Sequence, residues 1–332
     1  MKRRMKMGPG TDTVRVAVVQ AAPVIMDREG TIEKALELME ACGRENARIV
    51  VFPEAFIPAY PRGLTFGTVV GSRSPAGRKD FRRYFENSVE VPSETTAILG
   101  EAAKKYGAYL VMGVIERDGG TLYCTILYFG PDGRLLGKHR KLKPTGSERI
   151  LWGEGDGSTI TVIDTPYGKM GGLICWENYM PLARAAIYGK GTTIYLAPTA
   201  DSREEWQATI RHIALEGRCF VLSVNQYVHK SMYPEDLACF TDLKDQPDIM
   251  CPGGSAIIGP MGQYLAGPVR DREEILFADL DPGVVAESRF DLDVTGHYAR
   301  SDVLRLVVNE KPLASVSYID GGDACGPGLV GS

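Results

Sequence analysis

The sequence lacks most of the features that would point directly to a function. Only four of its 332 residues are histidine, and it contains neither an HExxH helix nor a CxxC pair, so the common spacings of a zinc site are missing. Seven cysteines, at 42, 124, 175, 219, 239, 251 and 325, form an odd and scattered set. Such a set builds no disulfide framework and fits a reducing cytoplasm. No apolar run approaches the roughly 20 residues needed to span a bilayer, so no membrane partner is expected. The basic start MKRRMKMGPGTDT is broken by Gly8-Pro9-Gly10 where a secretory signal needs continuous apolar residues, and residues 1–13 read as a solvated tail. A net charge of −4 supplies no basic face for nucleic acid. What is present is a hydrophobic share of 44% and a charged share of 24%, enough for a substantial core. The expected partner is a small molecule or another protein.

The chain alternates between strand and helix patterns. VRVAVVQ (14–20) and RIVVF (48–52) are β-branched runs flanking TIEKALELMEACGREN, where Ile32, Ala35, Leu36, Met39 and Cys42 recur at helical spacing behind a Thr31 cap. A second helix is expected over SETTAILGEAAKKYG, capped by Ser93 and ended by Gly107. AYLVMGVIER and TLYCTILYFG then flank Gly119-Gly120, a hairpin signal, and Pro131-Asp132-Gly133 supplies another turn. The second half predicts strands at TITVIDT, KMGGLIC, TTIYLAP, FVLSVNQ, SAIIGP and ILFADL, and helices at PLARAAIYGK and SREEWQATIRHIALEGR, the last with Ser202 and Glu205 in capping-box spacing. No Pro/Gly/Ser linker divides the halves, so a single α/β domain over 14–310 is expected, with a C-terminal tail over 311–332. Residues 57–75 and 227–253 read as long connections, which inside a compact domain are usually functional.

Three strand ends carry chemistry. Cys175 lies where an apolar strand hands over to a turn, just before Pro181 can open a helix; backbone N–H groups and a helix N-terminus there would favour the thiolate. The same position equally suits an inert core thiol. Glu54 follows a strand in an otherwise apolar segment, so its carboxylate must be partnered or shifted toward the neutral form. Five basic residues crowd into 138–143, a run that by itself reads as a solvated face. GEGDG at 153–157 lacks the lysine and spacing of a phosphate loop and reads as a turn. Cys239 and Cys251 flank a polar loop without histidines at metal spacing, so neither metal nor cofactor is expected.

Taken together, FPEAFIPAYP (52–61), HRKLKPTGSER (139–149) and CWENYMPLAR (175–184) resemble the three signature segments of the nitrilase branch of the carbon–nitrogen hydrolase superfamily. The likeness continues through WGEGDGST (152–159), HIALEGRCFVLS (212–223) and GHYARSDVLRLVVN (296–309). The resemblance implies a four-layer αββα sandwich and a Glu, Lys, Cys triad at Glu54, Lys141 and Cys175, with Glu148 as a second glutamate. It further implies homodimers that extend into larger assemblies. Tyr60, Thr145, Trp152 and Trp176 fall beside these positions and are expected pocket walls.

The set suits nitrile hydrolysis, which needs a nucleophile for carbon, a base for the thiol proton and a cation or donor for the nitrogen. With Glu54, Glu148 and Lys141 ionised, a thiolate would be the third anion against one cation. A unit-charge pair at 4 Å is worth about 4 kcal/mol at an effective dielectric constant of 20, so either the resting cysteine or one glutamate is expected to hold a proton. Three rival readings remain. One is a Cys–His hydrolase using His139 or His297, where His297 could also line the pocket or tie down a C-terminal strand. The others are an amidase or carbamoylase of the same superfamily, and a silent homologue that only binds. Which nitrile is used does not follow from the sequence.

Overall fold

The computed structural model describes residues 13–314 and 316. The expected tails, apart from 13, 311–314 and 316, and Cys325 therefore lie outside the described residues. Two seven-stranded sheets form the centre. The first runs in the order Glu274–Leu280, Val14–Gln20, Ile49–Val51, Tyr109–Asp118, Thr121–Phe129, Leu135–Arg140, with Val89–Glu90 pairing beside Tyr109–Asp118. The second runs Tyr227–His229, Ile249–Ile258, Phe220–Val224, Ile194–Pro198, Gly168–Gly172, Val162–Thr165, with Tyr264–Arg270 beside Ile249–Ile258.

The two-residue period of a strand assigns its side chains to layers. Val16 and Val18 join Ile194, Leu196, Leu222 and Val224 in the core between the sheets. Ala17 and Val19 instead meet Ile32, Ala35, Met39 and Leu99 from the helices Arg28–Arg44 and Glu94–Tyr106. On the far side Tyr195 and Ala197 pack under Ile187, Trp206, Ile210 and Ile213 from Pro181–Gly189 and Glu204–Gly217. Helix, sheet, sheet, helix is thus the order of layers, as the αββα expectation had it.

Several local expectations hold in detail. Ser93 stands at the cap with its N–H donating to the Thr96 hydroxyl at 2.8 Å, Gly107 ends the helix at φ 60°, and the Gly119-Gly120 hairpin joins Asp118 to Thr121. Others are corrected. Thr31 does not cap the first helix: Asp27 does, its side chain accepting from the Gly30 N–H, while the Thr31 hydroxyl donates back to the Val24 and Asp27 carbonyls inside the first turn. The Ser202 capping box does not form either; Arg203 stands at the cap, and the Asp201 carboxylate accepts the Arg203 N–H. Residues 57–75 are not a bare loop but contain the ribbon Thr68–Val69 and Ser72–Arg73 and lead into a helix, Pro75–Glu86. The 227–253 connection likewise contains a strand, Tyr227–His229, two short 3-10 turns and the start of Ile249–Ile258.

Candidate active site

Strand ends of both sheets converge on one point. Ile49–Val51 delivers Glu54, Leu135–Arg140 delivers Lys141, and Gly168–Gly172 delivers Cys175. Two glycines permit close approach there: a Cβ on Gly113 would lie 1.9 Å from the Pro53 carbonyl oxygen, and one on Gly172 1.9 Å from that of Leu196. The chain turns sharply at both acidic and nucleophilic positions, with Ala55 at φ 49° and Cys175 at φ 51°. Left-handed backbone costs a non-glycine residue about 1–2 kcal/mol, so each turn must be held by its surroundings. Asn178 holds the second, its amide donating to the Cys175 carbonyl at 2.8 Å and the Leu173 carbonyl at 3.1 Å.

Lys141 is completely buried between two carboxylates, 2.7 Å from Glu54 Oε1 and 2.8 Å from Glu148 Oε2. Glu148 also accepts from the Tyr60 hydroxyl at 2.7 Å and the Thr145 N–H at 2.7 Å. Glu54 is less well supplied. Its Oε1 meets Lys141 and the Cys124 thiol, while Oε2 is buried with no partner among the described residues. Burial raises the Glu54 carboxyl above the usual range, with Glu148 adding to it and Lys141 opposing. Burial also works against the Lys141 ammonium, but the surrounding acids hold it well above the ordinary lysine range. Two carboxyl groups thus face a single lysine, which stays charged.

The Cys175 thiol is buried, and burial together with the nearby Glu54 carboxylate pushes it up to about 12, against the opposing pull of Lys141 and the Thr199 hydroxyl. The expected bias toward thiolate is therefore corrected. A turn that presents N–H groups does not outweigh desolvation beside a carboxylate, and the resting group is the thiol. Thr199 donates to its sulfur at 3.2 Å and accepts the Asp201 N–H at 2.9 Å.

A cleft of about 220 Å³ reaches Cys175, lined among others by Tyr60, Thr145, Glu148 and Trp176. Trp176 sits at its mouth, the indole N–H donating to Asp201 at 2.8 Å and the Arg203 guanidinium 4.9 Å from its ring. Trp152 is placed differently from the expectation: it lies behind, its ring 5.7 Å from the Lys141 Nζ and edge-on to Tyr60, bordering an adjoining depression. Arg62, Asp201 and Arg203 also line the cleft. They and Thr199 were not singled out in the sequence; a Thr directly after the strand TTIYLAP was the available signal.

Neither histidine of the rival reading can act as base. Both ring nitrogens of His139 are engaged away from Cys175, Nδ1 by the Thr159 carbonyl at 2.9 Å and Nε2 by the Glu177 carboxylate at 3.0 Å. Burial lowers its basicity, but Glu177 raises it further, above the usual histidine range. His297 lies on an exposed turn against Tyr298, does not line the cleft, and no strand forms at 296–309.

The carbon–nitrogen hydrolase family model matches residues 15–290. The chain belongs to the carbon–nitrogen hydrolase family. Within it, an aliphatic nitrilase of Sinorhizobium fredii (strain HH103) is 54% identical over 303 residues, covering 91% of this chain and 97% of that protein. A bifunctional nitrilase/nitrile hydratase of Lupinus angustifolius is 54% identical over 310 residues, covering 92% and 89%. These relatives put the chain in the nitrilase branch. The solved carbon–nitrogen hydrolase of Helicobacter pylori G27 aligns with a TM-score of 0.65 at 25% identity, over 88% of this chain and 98% of that one. In this carbon–nitrogen hydrolase, then, a buried thiol that borders a cleft has a surplus acceptor and a fixed cation nearby, the parts that addition to a carbon–nitrogen multiple bond requires.

Proposed function

We propose that the protein is a nitrilase, converting an organic nitrile and two waters to a carboxylic acid and ammonia on Cys175. The observation that carries this reading is the Glu54–Lys141–Glu148 cluster at hydrogen-bond distance beside a protonated thiol, in a chain about half identical to nitrilases.

In the first step Glu54 takes the thiol proton as sulfur adds to the nitrile carbon. The carbon–nitrogen π pair moves to nitrogen, which is stabilised by Lys141 and the Trp176 N–H and receives the proton, leaving a thioimidate. Water activated by Glu54 adds to give a tetrahedral adduct. Expulsion of ammonia leaves a thioester, which a second water hydrolyses to acid and free thiol. Expulsion of the thiol instead releases an amide. Glu148 holds Lys141 and Tyr60 in place; Tyr60, Thr145 and Trp176 bound the substrate, and Trp152 backs the lysine. Residues 14–310 act as one catalytic unit without a cofactor.

The six described cysteines are free, which fits a cytoplasmic protein. The exposed Leu182, Tyr298 and Leu304 around one groove suit burial against a second copy, in keeping with a homodimer that builds larger assemblies.

A panel of aliphatic, arylaliphatic and aromatic nitriles with matched amides, read by mass spectrometry for acid and amide, tests the function. Nitriles should turn over faster than their amides, and Cys175→Ala should abolish turnover with an unchanged melting temperature. Preferential amide turnover would shift the assignment to an amidase. No turnover by folded protein with an intact thiol would leave a binding role.

A further inference from the structure

We propose that Glu177, held by His139, is a positioning residue that keeps the turn bearing Cys175 in register with the chain bearing Lys141. The proposal rests on the nitrilase reading for its kinetic arm and stands on contacts outside the cleft.

Glu177 lies two residues after Cys175 on the short turn Cys175–Tyr179 and is buried. Its carboxylate is saturated with donors. Oε1 accepts the Leu142 N–H at 2.6 Å, Oε2 accepts the Ile174 N–H at 2.7 Å, and His139 Nε2 lies 3.2 Å from the one and 3.0 Å from the other. Leu142 directly follows Lys141, and Ile174 directly precedes Cys175. One side chain therefore bonds the backbone next to the cation and the backbone next to the nucleophile.

This link crosses between sheets. Lys141 follows the last strand of the first sheet, and Cys175 follows a strand of the second, and no ladder joins the two. Side-chain contacts therefore help to set their relative placement, and Glu177 makes one that reaches both neighbours, accepting from Leu142 across the gap and from Ile174 on its own turn. His139 supplies the matching positive charge and is itself tied to the Thr159 carbonyl at 2.9 Å. Buried charges persist only when paired and fully hydrogen-bonded, and this pair meets that condition. Glu177 does not border the cleft, so it works through Ile174 and Leu142 and not on substrate.

The carboxylate is specifically required because both of its oxygens accept backbone N–H groups. A glutamine has one accepting oxygen, so in either amide orientation its NH₂ faces the N–H of Leu142 or Ile174. That mismatch loosens one side of the register while leaving size and packing unchanged. Displacement of reacting groups by about 1 Å costs about 10²-fold in rate.

The test is Glu177→Gln, with active sites counted by alkylation of Cys175 so that unfolded protein does not enter the rate. We expect kcat per titrated site to fall about 10²-fold with KM within threefold of the wild type. A kcat per site within threefold of the wild type overturns the proposal, as does a loss carried by KM. If Glu177→Gln fails to fold, His139→Gln, which leaves both backbone bonds to Glu177, decides in its place. Here kcat per site should fall about tenfold, and an unchanged value overturns the proposal. The rate of Cys175 alkylation, followed on its own peptide, needs no nitrile. It should change at least threefold in Glu177→Gln, and an unchanged alkylation rate rejects the link even if the wild type proves inactive on nitriles.

Discussion

Lys141 and His139 stand two residues apart, both buried and both facing carboxylates, yet their surroundings differ in one respect. The His139 site pairs one cation with one carboxylate, and every donor and acceptor is matched. The Lys141 site gives one cation two carboxylates and leaves Glu54 Oε2 without a partner among the described residues. A balanced, saturated pair has nowhere to put a proton and can only hold shape. A cluster with surplus negative charge and an unused acceptor can take one, and the buried Cys175 thiol is there to give it. Burial alone thus does not mark the reactive site; the imbalance does.

Removing the cation should break this comparison most severely. In Lys141→Met, Glu54 and Glu148 would be buried without their shared partner, which should destabilise the protein by about 3–5 kcal/mol at pH 7.5. Turnover should fall by about 10⁴-fold as the charge that stabilises the developing anion is lost. Because burial has raised the Glu54 carboxyl, it can take up a proton in acid, and the stability cost should shrink at pH 5. Denaturant unfolding at both pH values reads this directly. An equal cost at the two would mean that charge is not what Lys141 balances.

The unbalanced site was easier to read from the sequence than the balanced one. Glu54 in an apolar run, the basic run and the cysteine at a strand end are each local anomalies, and their resemblance to known signature segments joined them. The sandwich was legible for a similar reason: alternation in VRVAVVQ and helical spacing in the segment that follows are properties of a few adjacent residues. Glu177 gave no comparable signal, because its role depends on Leu142, thirty-five residues away. Helix starts failed where two candidate caps competed. At the first helix Asp27 took the role read onto Thr31 because its carboxylate reaches the Gly30 N–H, whereas at the second the Asp201 carboxylate accepts the N–H of Arg203, the cap residue itself, and no side chain caps the helix. Arg62, Asp201 and Arg203 reach the cleft only through folding of distant loops, which no local pattern encodes.

The protonated state of Cys175 gives a second, smaller test. Because burial and Glu54 push the thiol up to about 12, the thiolate fraction is small at neutral pH. Iodoacetamide inactivation should rise about tenfold per pH unit from pH 7 to 9, without a plateau. Glu54→Gln removes one cause of that rise, so its profile should move to lower pH even as nitrile turnover is lost. A wild-type plateau near pH 6 would mean a resting thiolate and would dissolve the distinction between the two sites, since the cluster would then hold its surplus charge permanently.

The smallest effect concerns the balanced pair. Glu177 raises the proton affinity of His139 above its unfolded value, near 6.5. A group whose folded pKa is raised stabilises the fold fully below its unfolded pKa, and that contribution is lost as pH climbs through the folded value. Between pH 6 and 8, unfolding free energy should therefore decline with pH more steeply in the wild type than in His139→Gln. One proton limits the difference in slope to about 1.4 kcal/mol per pH unit. Glu54, also raised by burial, contributes a slope of the same sign, but it is present in both proteins and cancels in the comparison. Parallel curves would mean that His139 is not charged in the fold. Glu177 would then be an unpaired buried carboxylate, and the contrast between a site that moves protons and a site that holds shape would lose its second half.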